Sequence, residues 1–104
     1  MPFTGNEGTQ ITRVQAKGMI EKFQQSGQYK NIKGGFFGRK ILLAILNQPN
    51  CVGIRYYHSL DAKSQPTLVL VGEDQNGTIL SDGILGEEGP LCPPWCGVAN
   101  PLDQ

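Results

Sequence analysis

The sequence predicts an α+β fold: two N-terminal helices packed on one face of a three- or four-stranded antiparallel meander, closed by a Cys-Pro-Pro-Trp-Cys segment. Four observations carry this. Apolar residues recur at helical steps up to Leu46, Pro49 ends that pattern, and strand-like alternation begins at Cys51. Short polar links, among them Asn76-Gly77, join the later apolar runs, as hairpins require.

Residues 1–10 hold two glycines and a proline and show no periodicity, so they read as a flexible arm. Residues 11–97 form the single α+β domain, and 98–104 a tail. The first helix should run over 12–26. Thr12 with Gln15 has capping-box spacing, Ala16, Met19, Ile20 and Phe23 define one apolar face, and Gly27 supplies a left-handed stop. Gly34-Gly35 and Gly38 mark a turn. A second helix over about 38–47 is apolar nearly all round, which predicts burial. Proline disfavours a helical residue before it and donates no hydrogen bond, so Pro49 ends this helix.

Three strands follow. The first starts at Cys51 and runs to Leu60, with Ile54, Tyr56 and His58 on one face and Arg55 and Tyr57 on the other. The second, residues 67–71, is apolar on both faces and therefore central. The third is Thr78–Ser81, after the Asn-Gly turn. A short fourth strand fits Ile84–Leu85.

Composition excludes several functions. The chain has 104 residues, a single-domain length. No apolar run approaches a membrane span, and no charged start leads an apolar block as in a secretory signal, so a cytoplasmic location is expected. Nine basic residues balance nine acidic ones, which argues against nucleic-acid binding. That zero is a cancellation. Residues 1–50 hold seven basic and two acidic side chains, and residues 51–104 hold two basic and seven acidic ones. Such a polar chain favours self-association or an oppositely charged protein partner, unless the charges sit on separate solvated faces.

Two loop signals are faint. Gly34-Gly35-Phe36-Phe37-Gly38 ahead of a helix lacks phosphate-loop spacing, and Asp74-Gln75-Asn76-Gly77 lacks the bidentate Glu of a calcium loop. Both are read as turns, and no cofactor is expected.

Cys51, Cys92, Cys96 and His58 are the soft ligands of the chain. Zinc would need all four. On one strand, however, Cys51 and His58 fall on opposite faces and about 23 Å apart. A disulfide between Cys92 and Cys96 opposes the extended path of Pro93-Pro94, about 12 Å long, unless the chain turns at Trp95 or a proline is cis. A bridge from Cys51 would close a longer loop and contribute more, about 4 kcal/mol against about 2. Thiol chemistry lacks the C-x-x-C spacing, and Glu87 and Glu88 oppose a thiolate. The remaining reading has Cys51 as a small buried residue, and Cys92 and Cys96 bracing a Trp-anchored segment. Reduced thiols are the default in a cytosol.

The runs Asn50-Cys51-Val52-Gly53-Ile54-Arg55-Tyr56-Tyr57, Pro66-Thr67-Leu68-Val69-Leu70-Val71-Gly72 and Cys92-Pro93-Pro94-Trp95-Cys96 resemble a set of small uncharacterised bacterial proteins that share this layout. The resemblance spans roughly residues 11–97. It implies kinship of fold and no activity.

Without a convincing catalytic set, the sequence points to a non-enzymatic interaction or self-assembly module. Trp95, Arg55 and Tyr57 are its candidate contact residues, with Phe36 or Phe37 beside them if that face is open. Trp95 folded down as a cap on the core is the competing reading. His58 is expected to be a partly buried strand residue. The alternatives are a thiol-redox or zinc protein centred on Cys51, Cys92 and Cys96, and a peptide precursor with a folded leader.

Overall fold

The computed structural model describes residues 2–27, 32–94, 97–98 and 100–102. Seven elements follow in chain order: α1 (Arg13–Ser26), β1 (Gly34–Gly35), α2 (Arg39–Leu46), β2 (Gly53–Leu60), β3 (Pro66–Glu73), β4 (Leu85–Glu87) and β5 (Leu91–Cys92). The fold is α+β. Strands β2, β3 and β4 form an antiparallel sheet in that order, and β1 pairs with β5 in a separate two-stranded sheet.

α1 starts and stops where its caps dictate. The Thr12 hydroxyl accepts from the Gln15 amide at 3.1 Å, and the Gln15 side chain accepts from the Thr12 amide at 2.9 Å. Gly27 closes the helix at φ 73°. Its apolar face is only partly covered: no residue of α1 is fully buried, while Ala16 and Ile20 are half-buried. Met19 and Phe23 stay 62% and 44% exposed.

α2 does pack on the sheet. Its seat is Gly86, which pairs with Leu70 and so lies on the same face of the sheet. A Cβ on Gly86 would lie 2.9 Å from Ile41 Cγ1 and 3.5 Å from Ile45 Cδ1, so the missing side chain admits the helix. Ile45 is fully buried there, on the face that carries Leu70, whereas Val71 is buried on the opposite face of the sheet. Burial of α2 is narrower than its composition predicts. Leu43 and Leu46 remain partly exposed, because one sheet face cannot cover an eight-residue helix all round.

Gln48 staples the end of α2 to the sheet. Its Nε2 donates to the Ile45 carbonyl at 2.9 Å, and its Oε1 accepts from the Ile84 amide at 2.8 Å.

The Asn76-Gly77 turn forms as expected. Asp74 Oδ1 accepts from the amides of Asn76 and Thr78, both at 2.9 Å, and Gly77 takes φ 83°. The strand expected at 78–81 is reduced to a single bridge between Glu73 and Ile79. The Leu80 amide still bonds to the Gly72 carbonyl at 2.8 Å, but residues 81–84 then loop out and pairing resumes at Leu85 opposite Val71. The third strand of the meander is therefore β4. The Gly34-Gly35 turn becomes β1, which clasps Leu91 and Cys92, and the Lys33 amide extends the clasp to the Cys92 carbonyl at 2.7 Å.

Candidate functional site

The site candidates of β2 sit on an open edge. β2 pairs with β3 from Gly53 opposite Glu73 to Leu60 opposite Pro66, and its other edge meets no strand among the described residues. Eight residues make an edge about 27 Å long. Natural edges of this length usually carry lysine, proline or a bulge that blocks further pairing. β2 has neither lysine nor proline, and Arg55 is its one charged residue.

Arg55 is committed within the chain. Its Nε donates to Glu73 Oε1 at 2.6 Å and its Nη2 to Oε2 at 2.8 Å, a bidentate pair across the β2–β3 ladder. The Glu73 side chain is 7% exposed and that of Arg55 42%. The ring of Phe3 stacks 5.4 Å from the guanidinium carbon. Arg55 is thus a structural cation first, and only its outer side faces solvent. Tyr57 lies on the same face of β2 and is 48% exposed. His58 is exposed, contrary to the partial burial expected, and stands edge-on to Tyr56 with ring centroids 5.6 Å apart. Trp95 and Cys96 lie outside the described residues.

The N-terminal arm forms a wall beside the start of β2. The Phe3 amide bonds to the Gln75 carbonyl at 3.2 Å, and Gly5 sits against Val52. Glu7 is locked by its own loop, where Oε2 accepts from the Thr4 amide and Oε1 from the Gly5 amide, both at 2.9 Å. A cleft of about 480 Å³ opens between this arm and the β2 edge, lined by Phe3, Glu7, Val52, Ile54, Arg55 and His58 among others. A second groove, about 720 Å³, lies at the other end of β2 between Phe23, Ile32, Leu60 and Leu68, with Glu88 in its wall. His58 borders both. Sequence reading missed Phe3, Glu7 and Glu73. The pairing of Arg55 with Glu73 is visible only once the β2–β3 register is known.

The two carboxyls are tuned in opposite directions. The side-chain hydrogen bonds from Arg55 hold Glu73 below the ordinary carboxylate value. Burial pushes Glu88 up, partly offset by a hydrogen bond from the Leu68 backbone. A Cβ on Gly35 would collide with the Glu88 carboxylate, so the glycine gives that group its place. The effects on stability are therefore opposite in sign. The Glu73 contribution is full above the unfolded value near 4.5 and is lost as pH falls through its depressed folded value. The Glu88 contribution is present in acid and is lost as pH rises from 4.5 to its raised folded value. In thermal melts across the acid range, Arg55→Gln should flatten the loss of stability on acidification, and Glu88→Gln should remove the opposing slope.

The cysteines divide. Cys51 is a free, half-buried thiol whose Sγ lies 3.2 Å from the Gly53 carbonyl. Cys92 is buried and disulfide-bonded, which corrects the expectation of reduced thiols. The Cys92–Pro93 and Pro93–Pro94 peptide bonds are both cis, so the extended polyproline path expected of this segment is not taken. Among the described residues, no group of three or more His, Cys, Asp or Glu side chains is placed to hold a metal ion. No helix among them is long and apolar enough to cross a membrane.

No protein-family model, curated protein or solved structure matches the chain.

Proposed function

We propose that this chain is a non-enzymatic protein-interaction module that adds an extended segment of another polypeptide along the free edge of β2. One observation carries the reading. β2 is a long edge strand that no other strand covers among the described residues, and its Tyr56, Tyr57 and Leu60 side chains are 57%, 48% and 66% exposed. Strand addition satisfies the outward backbone groups of such an edge, and the alternating side chains supply selectivity. The clefts at the two ends of β2 add apolar surface for a docked strand. The internal Arg55–Glu73 pair supports the same reading, because it leaves the edge without a net charge that would repel a strand.

The test is hydrogen exchange with two strand-forming octapeptides, one of β2 sequence and one of alternating valine and threonine. The outward-facing amides of residues 53–60 should slow by about tenfold once either peptide is near ten times its dissociation constant. Unchanged exchange with both peptides at millimolar concentration rejects the proposal.

A further inference from the structure

The occupant that this edge fits is a second copy of the same chain. We infer that two copies pair β2 to β2, antiparallel across a two-fold axis, into a continuous six-stranded sheet with three strands from each. The inference rests on the edge-docking reading above and adds the identity and orientation of the partner.

Charge permits the pairing and selects its direction. The whole chain has no net charge, and the one charged residue of β2 is already neutralised by Glu73. Two such strands approach without repulsion. The two ends of the strand differ. At its start stand Glu7 and Asp74, whose carboxylates accept from backbone amides and, for Glu7, from the Thr4 hydroxyl. At its end the turn to β3 presents Asp61 and Lys63, whose charges cancel; Asp61 Oδ1 accepts from the amides of Lys63 and Gln65, and Lys63 has no ion pair among the described residues. Parallel pairing would set the two acidic starts side by side. Antiparallel pairing keeps the acidic starts apart and sets each beside the other copy's Asp61–Lys63 turn, which carries no net charge and offers the Lys63 cation.

Shape selects the register. Ile54, Tyr56, His58 and Leu60 alternate onto one face of β2. A two-fold axis through Tyr57 places the second copy's Leu60 opposite Ile54 and its His58 opposite Tyr56. Leu60, 66% exposed in the single chain, then meets the part of the cleft where Val52 and Ile54 supply apolar wall, and Glu7 stands near the second copy's Lys63. Exposed end and open cleft fill one another twice, as an isologous contact requires.

Sedimentation velocity from about micromolar to about millimolar concentration reads the outcome. The chain should pass from monomer to dimer. Lys63→Glu should weaken the dimer by about tenfold, and Glu7→Lys in the same chain should restore it. In a Cys51→Ser background, Tyr57→Cys should form an inter-chain disulfide under mild oxidation, because the axis sets that position opposite itself. A dimer indifferent to Lys63→Glu and untrapped by Tyr57→Cys overturns the inference. A monomer at every concentration, with β2 still protected by added octapeptide, overturns the second copy and leaves the edge-docking reading standing. A monomer whose β2 no peptide protects overturns both.

Discussion

Ile45→Ala should destabilise the chain by about 2–5 kcal/mol, measured as a drop in the urea midpoint at unchanged slope. Ile45 is the fully buried side chain of α2, and it meets the sheet over the gap left by Gly86. Alanine loses the apolar transfer term and leaves a cavity that this seat cannot easily close. Leu70, on the same face as Gly86, belongs to a strand fixed on both sides by ladder bonds, and Gln48 anchors the end of the helix. Among the described residues the fully buried part of the core is small, so such a loss is large against the 5–15 kcal/mol by which small domains are stable. A loss below about 1 kcal/mol would mean that α2 is not held by this contact.

The reciprocal change should also be costly. Gly86→Val fills the seat from the sheet side, where a first carbon would already stand 2.9 Å from Ile41 Cγ1 and 3.5 Å from Ile45 Cδ1. A branched side chain must push α2 outward or leave its own rotamer, at about 1–3 kcal/mol. Combining it with Ile45→Ala makes a double-mutant cycle in which the two costs should be less than additive, because the smaller isoleucine replacement opens room for valine. Strict additivity would place the two residues in separate environments. Gly34, around which a Cβ would meet nothing within 4 Å, is the control: alanine there should be far milder.

Local chemistry made α1 legible, since Thr12, Gln15 and Gly27 act within a few residues of one another. Pro49 bounded α2, and alternation located β2 and β3, although the structure starts β2 two residues later than Cys51 and lengthens β3 to Pro66–Glu73. What escaped depends on residues distant in the chain. The apolar side of α1 satisfies helical period, yet Ala16 and Ile20 are only half-buried, and how far that side is covered depends on what the rest of the chain sets opposite it. Thr78–Ser81 has strand composition, yet only one bridge forms before Asp82 and Gly83 turn the chain away. The β1–β5 clasp joins two glycines to a segment more than fifty residues onward, which no local pattern reveals. At the candidate site, Arg55 and Tyr57 were legible as residues on one face. Glu73 and Phe3, which fix what Arg55 can do, required the register and the path of the arm.

The clasp of β1 on β5 also has a mechanical meaning. Gly34 and Gly35 grip Leu91 and Cys92, with the Lys33 amide as a further tie, so the α2-covered sheet hangs within a closed loop of chain. The arm and α1 precede that loop, and residues beyond 92 follow it. Tension applied between the two ends therefore loads the small clasp before the β2–β3 ladder. In a single-molecule stretching experiment, the arm and α1 would release first, the clasp would give way next, and the core would be the last part to extend.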